Sequence, residues 1–463
     1  MSSRPSLSAL RLVGLAVLLG IGGLAGAAFA LPVDGDLDLR YGVGGVARSP
    51  ERNRAFYDPP VALACGPTGL CALAAGRRVP DEDFSGSRYG SDGSFEGDFG
   101  THFDLGDSLD DHPYATAVQR DGKVIQVGFA TDSATVGDRL QAAVVRYSSI
   151  FVPDASFSAN GKDNYNYSGD ISSRAVAIAP DDKIVVTGCL QTGGSLGFEI
   201  FVLRYTAAGI LDTTFAGDGI RIFGFNLGGD NFDCAYSVLV QPDGKIVVAG
   251  STRYAAGDID FAIARLLPDS TLDPSFSDLV SGDGLSRVAF DQGGEFEGGY
   301  SVALDARGRI VVGGDAEDSD ENYLTAIARL LSNGRLDSAP GSFASSGRYA
   351  PDDSRSGVSG IAVAGPPSNR IYYLTHLDWI GALTGAGVLD TGFNGDGFVQ
   401  FEDPLPGIDF RSAEALAFSG GMLHVGGSSA AGADDYDIVA RYWMHQIFGD
   451  GFEAGNTGAW LGW

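Results

Sequence analysis

Positive charge is scarce in this sequence. Its 463 residues carry 31 Lys+Arg against 59 Asp+Glu, a formal net charge of −28. Nothing on that scale neutralises a phosphate backbone, so nucleic-acid binding is excluded, and docking on anionic lipid with it. Lysine is rarer still, with only Lys123, Lys162, Lys183 and Lys245. Cysteine is limited to Cys65, Cys71, Cys189 and Cys234, and no CxxC occurs. The histidines His102, His112, His376, His424 and His445 do not cluster with cysteine in sequence, so no metal site is expected. Catalytic signatures are equally thin. There is no HExxH and no phosphate-cradling glycine loop. The one nucleophile-like motif, Gly193, Ser195 and Gly197, sits in a loop between two expected strands, where a hydrolase elbow needs a following helix. Long apolar runs are absent except for Leu12 to Ala30. Arg4 and Arg11 precede that run and Ala28-Phe29-Ala30 ends it, which reads as a signal peptide cut after Ala30. An uncleaved anchor is the alternative.

What the sequence has in quantity is glycine, 68 residues, with a globular apolar share of 44%. It also has internal repeats. The clearest copy runs from Tyr236 to Val288. An Asp243-Gly244 turn there joins two alternating apolar runs, a hairpin signal. Four short strands are expected, at 236–241, 245–251, 260–266 and 284–290, with no helical period. Copies align on Lys245 at Lys123, Lys183, Arg309, Arg370 and Met422, and a degenerate first copy places Cys71 there. Three of the four lysines thus share one repeat position. An arginine in the third strand is followed eight residues later by an acid: Arg88 and Glu96, Arg146 and Asp154, Arg204 and Asp212, Arg265 and Asp273, Arg329 and Asp337. The sixth copy has Ala382 in place of the arginine, before Asp390. After Arg441 no such turn follows. An orphan copy of it, Leu37 to Tyr41, stands near the N-terminus instead.

That displacement is what a closed ring produces. A strand near 43–48 would complete the sheet made by the last repeat, and Arg441 would meet Asp38. The expected fold is therefore an all-β, seven-bladed β-propeller with four-stranded blades, closed by an N-terminal strand completing the last blade. An open solenoid is the alternative. The expected organisation is a signal peptide at 1–30, the propeller at 31–445 and a tail at 446–463. Export makes the four cysteines disulfide candidates. Cys65 with Cys71 and Cys189 with Cys234 is one of three possible connectivities.

The runs Gln241 to Gly250, Phe261 to Arg265 and Leu272 to Phe276 resemble the delta-60 repeat of exported bacterial proteins. The resemblance covers residues 31–443. It implies a propeller-like fold on a secreted, periplasmic or cell-surface protein and carries no catalytic motif. The tail from Ile447 to Trp460 is similar to a short C-terminal element of exported proteins.

Residues recurring in every copy serve the fold, so the arginine–acid pairs read as structural pins. Acidic turns such as Asp218, Asp283, Asp396 and the run Asp315 to Glu321 make calcium the candidate cofactor, although no EF-type loop is complete. Departures from the repeat are the candidate binding residues: His376, Asp378 and Trp379 in the sixth copy, and Tyr165 and Tyr167 in an aromatic loop. Tyr372 and Tyr373 are expected to alternate, one buried and one at the rim. The function read from these features is a monomeric, exported, non-enzymatic propeller that binds a protein or glycan partner, with no stable membrane insertion. A carboxylate- or metal-dependent hydrolase or lyase in the central channel is the alternative. Three or more titratable groups converging at one mouth would favour it.

Overall fold

The computed structural model describes residues 35–443. It leaves out 51, 54–56, 78–82, 104–109, 133–138, 194–196, 228–231, 255–257, 279–281, 352–354, 367, 402–408 and 432–433. The expected signal peptide, the tail and Ser195 lie outside the described residues. No helix among them is long and apolar enough to cross a membrane. Apart from a short 3₁₀ turn at Phe343–Ser345, regular structure there is strand.

The strands assemble into six sheets. The first holds Tyr57–Cys65, Cys71–Arg77, Asp83–Tyr89 and Phe95–Thr101. The second holds His112–Val118, Val124–Asp132, Arg139–Tyr147 and Lys162–Tyr165. The third holds Ile171–Ile178, Ile184–Gly193, Gly197–Tyr205 and Ile220–Phe223. The fourth has eight strands: Asp233–Val240, Ile246–Tyr254, Asp258–Leu266, Leu285–Val288, Gly293–Leu304, Ile310–Asp318, Tyr323–Leu330 and Arg348–Tyr349. The fifth holds Val358–Val363, Ile371–Thr375, Trp379–Leu383 and Phe398–Gln400. The sixth is built on Asp409–Ser419, Met422–Ala431 and Asp434–Trp443. Val46–Arg48 joins its path and Arg52–Asn53 also pairs with Asp434–Trp443.

This corrects the expected blade count. The described strands form five blades with four strands in the path, not seven. The remaining two repeats share one sheet, because Ile259 pairs in parallel with Phe296 and joins Asp258–Leu266 to Gly293–Leu304. A strand-to-strand contact of this kind leaves no trace in a repeat pattern, since each strand keeps its own alternation.

Within each repeat the turn chemistry sets the register. Asp243, Asp181 and Asp121 each accept the backbone N–H two residues on, and Gly244 and Gly122 take positive φ. The first repeat is offset by one residue from its expected alignment. Gly66 N–H bonds Leu70 O as Gln241 N–H bonds Lys245 O, so Leu70 rather than Cys71 holds the lysine position. Cys71 pairs with Cys65 just as Ile246 pairs with Val240.

Core clusters lie between neighbouring sheets. Ile125, Val127 and Val144 of the second pack with Ile184, Phe201 and Tyr205 of the third. Both faces of a sheet are thereby covered. For this reason Tyr372 and Tyr373 are both buried, in separate clusters, where one was expected at the rim. Cys65–Cys71 closes a hairpin, and Cys189–Cys234 ties the third sheet to the fourth. The innermost strands, Tyr57–Cys65, His112–Val118, Ile171–Ile178, Asp233–Val240, Gly293–Leu304, Val358–Val363 and Asp409–Ser419, touch in cyclic order and return to the first.

Candidate functional site

The arginine–acid pairs lie away from that central axis, at the hairpin turns. Arg204 Nε is 2.9 Å from Asp212 Oδ2, and Arg265 Nε is 2.8 Å from Asp273 Oδ2. Arg88 reaches Glu96, Arg146 reaches Asp154 and Arg329 reaches Asp337 at 2.7–2.9 Å. Arg441 Nη2 lies 2.7 Å from Asp38 Oδ2. Four of the acids also meet a cation at the lysine position: Lys123, Lys183 and Lys245 sit 3.3, 3.4 and 3.5 Å from Asp154, Asp212 and Asp273, and Arg309 sits 3.2 Å from Asp337. In the sixth copy, Arg370 comes from that position to Asp390 at 2.5 Å and replaces the missing strand arginine. Burial raises the Asp212 pKa, but hydrogen bonds from Thr214 and the charges of Arg204 and Lys183 outweigh it and hold the group at about 2. The arginines also reach across the repeats. Arg88 Nη2 donates to Ser149 O, and Arg441 Nη1 donates to Ser91 O at 2.5 Å. Clefts form beside these ties, and the one lined by Lys183, Arg204, Pro242 and Pro268 encloses about 530 Å³. Equivalent clefts recur at Arg146 and Arg329, which marks them as features of the repeat. The acidic turns are likewise engaged locally: Asp218, Asp283 and Asp396 accept the backbone N–H two residues on.

The inner strands carry a different pattern. Each has a β-bulge, and the residue left out of register is Val61, Tyr114, Arg174, Tyr236, Tyr300, Ser359 or Glu414. A bulge re-aims its side chain. All of these residues are half-buried, and four of them meet in pairs. The Arg174 guanidinium stands 4.0 Å over the Tyr114 ring. Tyr236 and Tyr300 have ring centroids 5.2 Å apart. The flanking positions stay apolar or small, while this one varies freely in chemistry.

His376 joins the group from the turn after Ile371–Thr375. Its ring lies 6.4 Å from Tyr300, and its Nε2 is 3.3 Å from Asp315 Oδ1. Asp315 is buried and belongs to the preceding repeat. It fits because residue 357 is glycine: a Cβ there would stand 1.5 Å from Asp315 Oδ1. The hydrogen bond with Asp315 raises the His376 pKa against the opposing effect of burial, and the charges of Asp315 and Glu414 raise it further. Burial strongly raises the Tyr300 pKa and keeps that phenol neutral. Asp378 accepts Ala413 N–H at 2.7 Å, and burial, then Glu414, pushes its pKa up against that bond.

His376, Asp315, Tyr300 and Glu414 therefore converge from three repeats. Of the residues singled out in the sequence, His376 is at this mouth and Asp378 is beside it through Glu414. Trp379 instead packs on Phe398, under the Arg355 guanidinium. Tyr165 and Tyr167 pack on the cluster between the second and third sheets. Sequence reasoning missed Tyr114, Arg174, Tyr236, Tyr300 and Glu414, and read Asp315 only as part of an acidic turn, whereas it lies in the strand Ile310–Asp318. The available signal was a repeat position that varies between apolar neighbours.

Residues 241–276 and 308–339 match a family described as a domain of unknown function (DUF5122) beta-propeller. No curated protein matches the chain. Among solved structures, similarity extends to PorZ, a surface component of the type-IX secretion system of Porphyromonas gingivalis. That match has 15% identity and a TM-score of 0.43, over 81% of this chain and 46% of that one. The chain thus spans less than half the length of that protein. A protein of unknown function from Dyadobacter fermentans matches at 11% identity and TM-score 0.39, over 86% and 100%. A polysaccharide lyase of family PL25, an ulvan lyase, matches at 11% identity and TM-score 0.44, over 84% and 96%. The family match and the sheet geometry agree that this chain is an all-β protein of the β-propeller kind.

Proposed function

We propose that the chain is an exported binding propeller of the delta-60 type that holds a glycan at the mouth formed by Tyr114, Arg174, Tyr236, Tyr300, His376 and Glu414. The observation that carries this reading is the shared bulge, which presents chemically diverse side chains from successive inner strands to one place. Tyrosine faces stack on the C–H faces of a sugar, while Arg174 and His376 donate to hydroxyls and Glu414 accepts from them. The two disulfides fit an oxidising compartment.

The convergence of His376, Asp315, Tyr300 and Glu414 gives the lyase or hydrolase reading a specific footing at the same mouth. Both readings use the same donors: the Asp315 contact favours the charged form of His376 and burial the neutral form of Tyr300, so each can donate to a bound hydroxyl or act as a general acid. Calorimetric titration against neutral and acidic oligosaccharides tests this. Tyr236→Ala and Tyr300→Ala should each weaken binding by roughly three- to ten-fold. If no saccharide binds, or if both variants bind as the parent does, the reading fails. Chain cleavage that disappears in His376→Ala while binding persists would establish the enzymatic reading instead.

A further inference from the structure

The sixth sheet meets the first at a seam where three apolar repeat positions have been replaced at once. His424 pairs across its strand with Arg441, as Ile125, Val185, Val247 and Val311 pair with Arg146, Arg204, Arg265 and Arg329. Those sister residues are fully buried aliphatics, and His424 is just as deeply buried, at 1% exposure. Cys71 pairs with Tyr89, as Val124, Ile184 and Ile246 pair with Tyr147, Tyr205 and Leu266. Cys65 holds the position of Val118, Ile178 and Val240.

The three replacements meet. His424 Nδ1 is 3.5 Å from Cys71 Sγ, and the ligand atoms of Cys65, Cys71 and His424 all lie within 4.8 Å of one another. A tetrahedral zinc ion with Zn–S near 2.3 Å and Zn–N near 2.0 Å separates those two atoms by about 3.5 Å. The imidazole is also oriented: the Tyr41 ring stands edge-on at 5.9 Å, and the Ser419 backbone hydrogen-bonds the ring. Ser419 Oγ in turn ties Gly66 O of the cysteine hairpin to the sixth sheet at 2.7 Å. Cys71 is inaccessible, but Cys65 is half-buried and Pro67 and Thr68 of the turn are exposed, which gives an approach from that side.

We propose that Cys65, Cys71 and His424 form a redox-gated metal site that takes Zn²⁺ once the disulfide is reduced. The reductant is a dithiol. It supplies two electrons and two protons, closes to its own cyclic disulfide and leaves two protein thiols. Zinc binding then releases both thiol protons, and the two thiolates and the imidazole lone pair become ligands, with water in the fourth position. In the oxidised chain the sulfurs are bonded to each other and the site is shut.

The test uses the full chain with Cys189→Ala and Cys234→Ala, reduced with a dithiol, freed of reductant without oxygen and titrated with Co²⁺. Circular dichroism confirms the fold beforehand. One equivalent should bind with thiolate-to-cobalt charge-transfer absorption and the strong visible bands of a four-coordinate ion, and Zn²⁺ should displace it. The unreduced chain should show none of this. His424→Val, which installs the residue of a sister repeat, should weaken Co²⁺ binding by roughly ten-fold or more. The proposal is overturned if the reduced chain gives no thiolate–cobalt band, if it unfolds, or if His424→Val binds as tightly as the parent. Should the double-alanine background not fold, reduced wild type compared with Cys65→Ser gives the same reading.

Discussion

At the scale of single residues, the mouth depends on what is missing at position 357. Asp315 reaches His376 only because no Cβ occupies the space beside its carboxylate. Gly357→Ala should push Asp315 aside, remove its hydrogen bond to His376 and let the imidazole pKa fall back toward the ordinary histidine value near 6.5. A histidine NMR titration reads this directly, and an unchanged His376 midpoint would show that Asp315 does not set it. The example also explains why only a small part of the site was legible beforehand. His376 stands out in sequence as a departure from its repeat. Asp315 does not, because it lies in a run of acidic residues, and its significance comes from a glycine some forty positions on. Likewise Tyr114, Arg174, Tyr236 and Tyr300 look like ordinary strand residues until the bulge turns them to the axis. His424 was set apart from the cysteines for the same reason: Cys71 is 353 residues distant in sequence and adjacent at the seam.

At the scale of elements, the repeat signatures were legible because they are local. Turn aspartates, the strand arginine and the acid eight residues later are all set within one hairpin or its next turn. The link between neighbouring sheets is not local, and there the reading was incomplete. The blade count changed with a single parallel pair, Ile259 with Phe296. The arginines, read as pins within one repeat, also donate to the following one. Closure of the chain uses that same device. Asp38 is fully buried and accepts from Arg441 and Arg40, while Val46–Arg48 pairs with the strand that carries Arg441. Asp38→Ala leaves the Arg441 guanidinium without its carboxylate and should cost about 3 kcal/mol. Glu96, the equivalent acid of the first repeat, is one-third exposed, and Glu96→Ala should cost about 1 kcal/mol or less. Urea unfolding of the two variants makes the comparison. Equal losses would mean that the N-terminal turn contributes no more to closure than any other turn.

At the scale of the whole molecule, the acid excess and the buried carboxyls act together on pH dependence. Asp111 and Glu297 sit just before or at the start of inner strands and accept backbone N–H groups, Asp111 from Phe103 and Glu297 from Phe290. Burial nevertheless raises both to about 7. The folded state therefore binds their protons more tightly than the unfolded chain does. Their contribution is full below about pH 4 and is lost as pH rises through 7. His424 works in the opposite sense. Burial, then the charge of Arg441, lowers it to about 4, so stability rises with pH between about 4 and 6.5 on its account. Two carboxyls outweigh one imidazole over that range, and self-repulsion of a chain at −28 grows in the same direction as the carboxyl effect. Below about pH 4 the balance reverses. Asp154 and Asp212, held at about 2 by their hydrogen bonds and cations in spite of burial, must take up protons that the unfolded chain binds more readily. The melting temperature should therefore peak near pH 4–5, fall gradually toward pH 8 and fall again toward pH 2. Glu297→Gln should flatten the decline between pH 5 and 8 while leaving the acid limb in place. A melting temperature that climbs steadily from pH 5 to 8 would mean that the buried carboxyls are already ionised in the folded protein and that groups whose pKa falls on folding, such as His424, dominate its response to pH there.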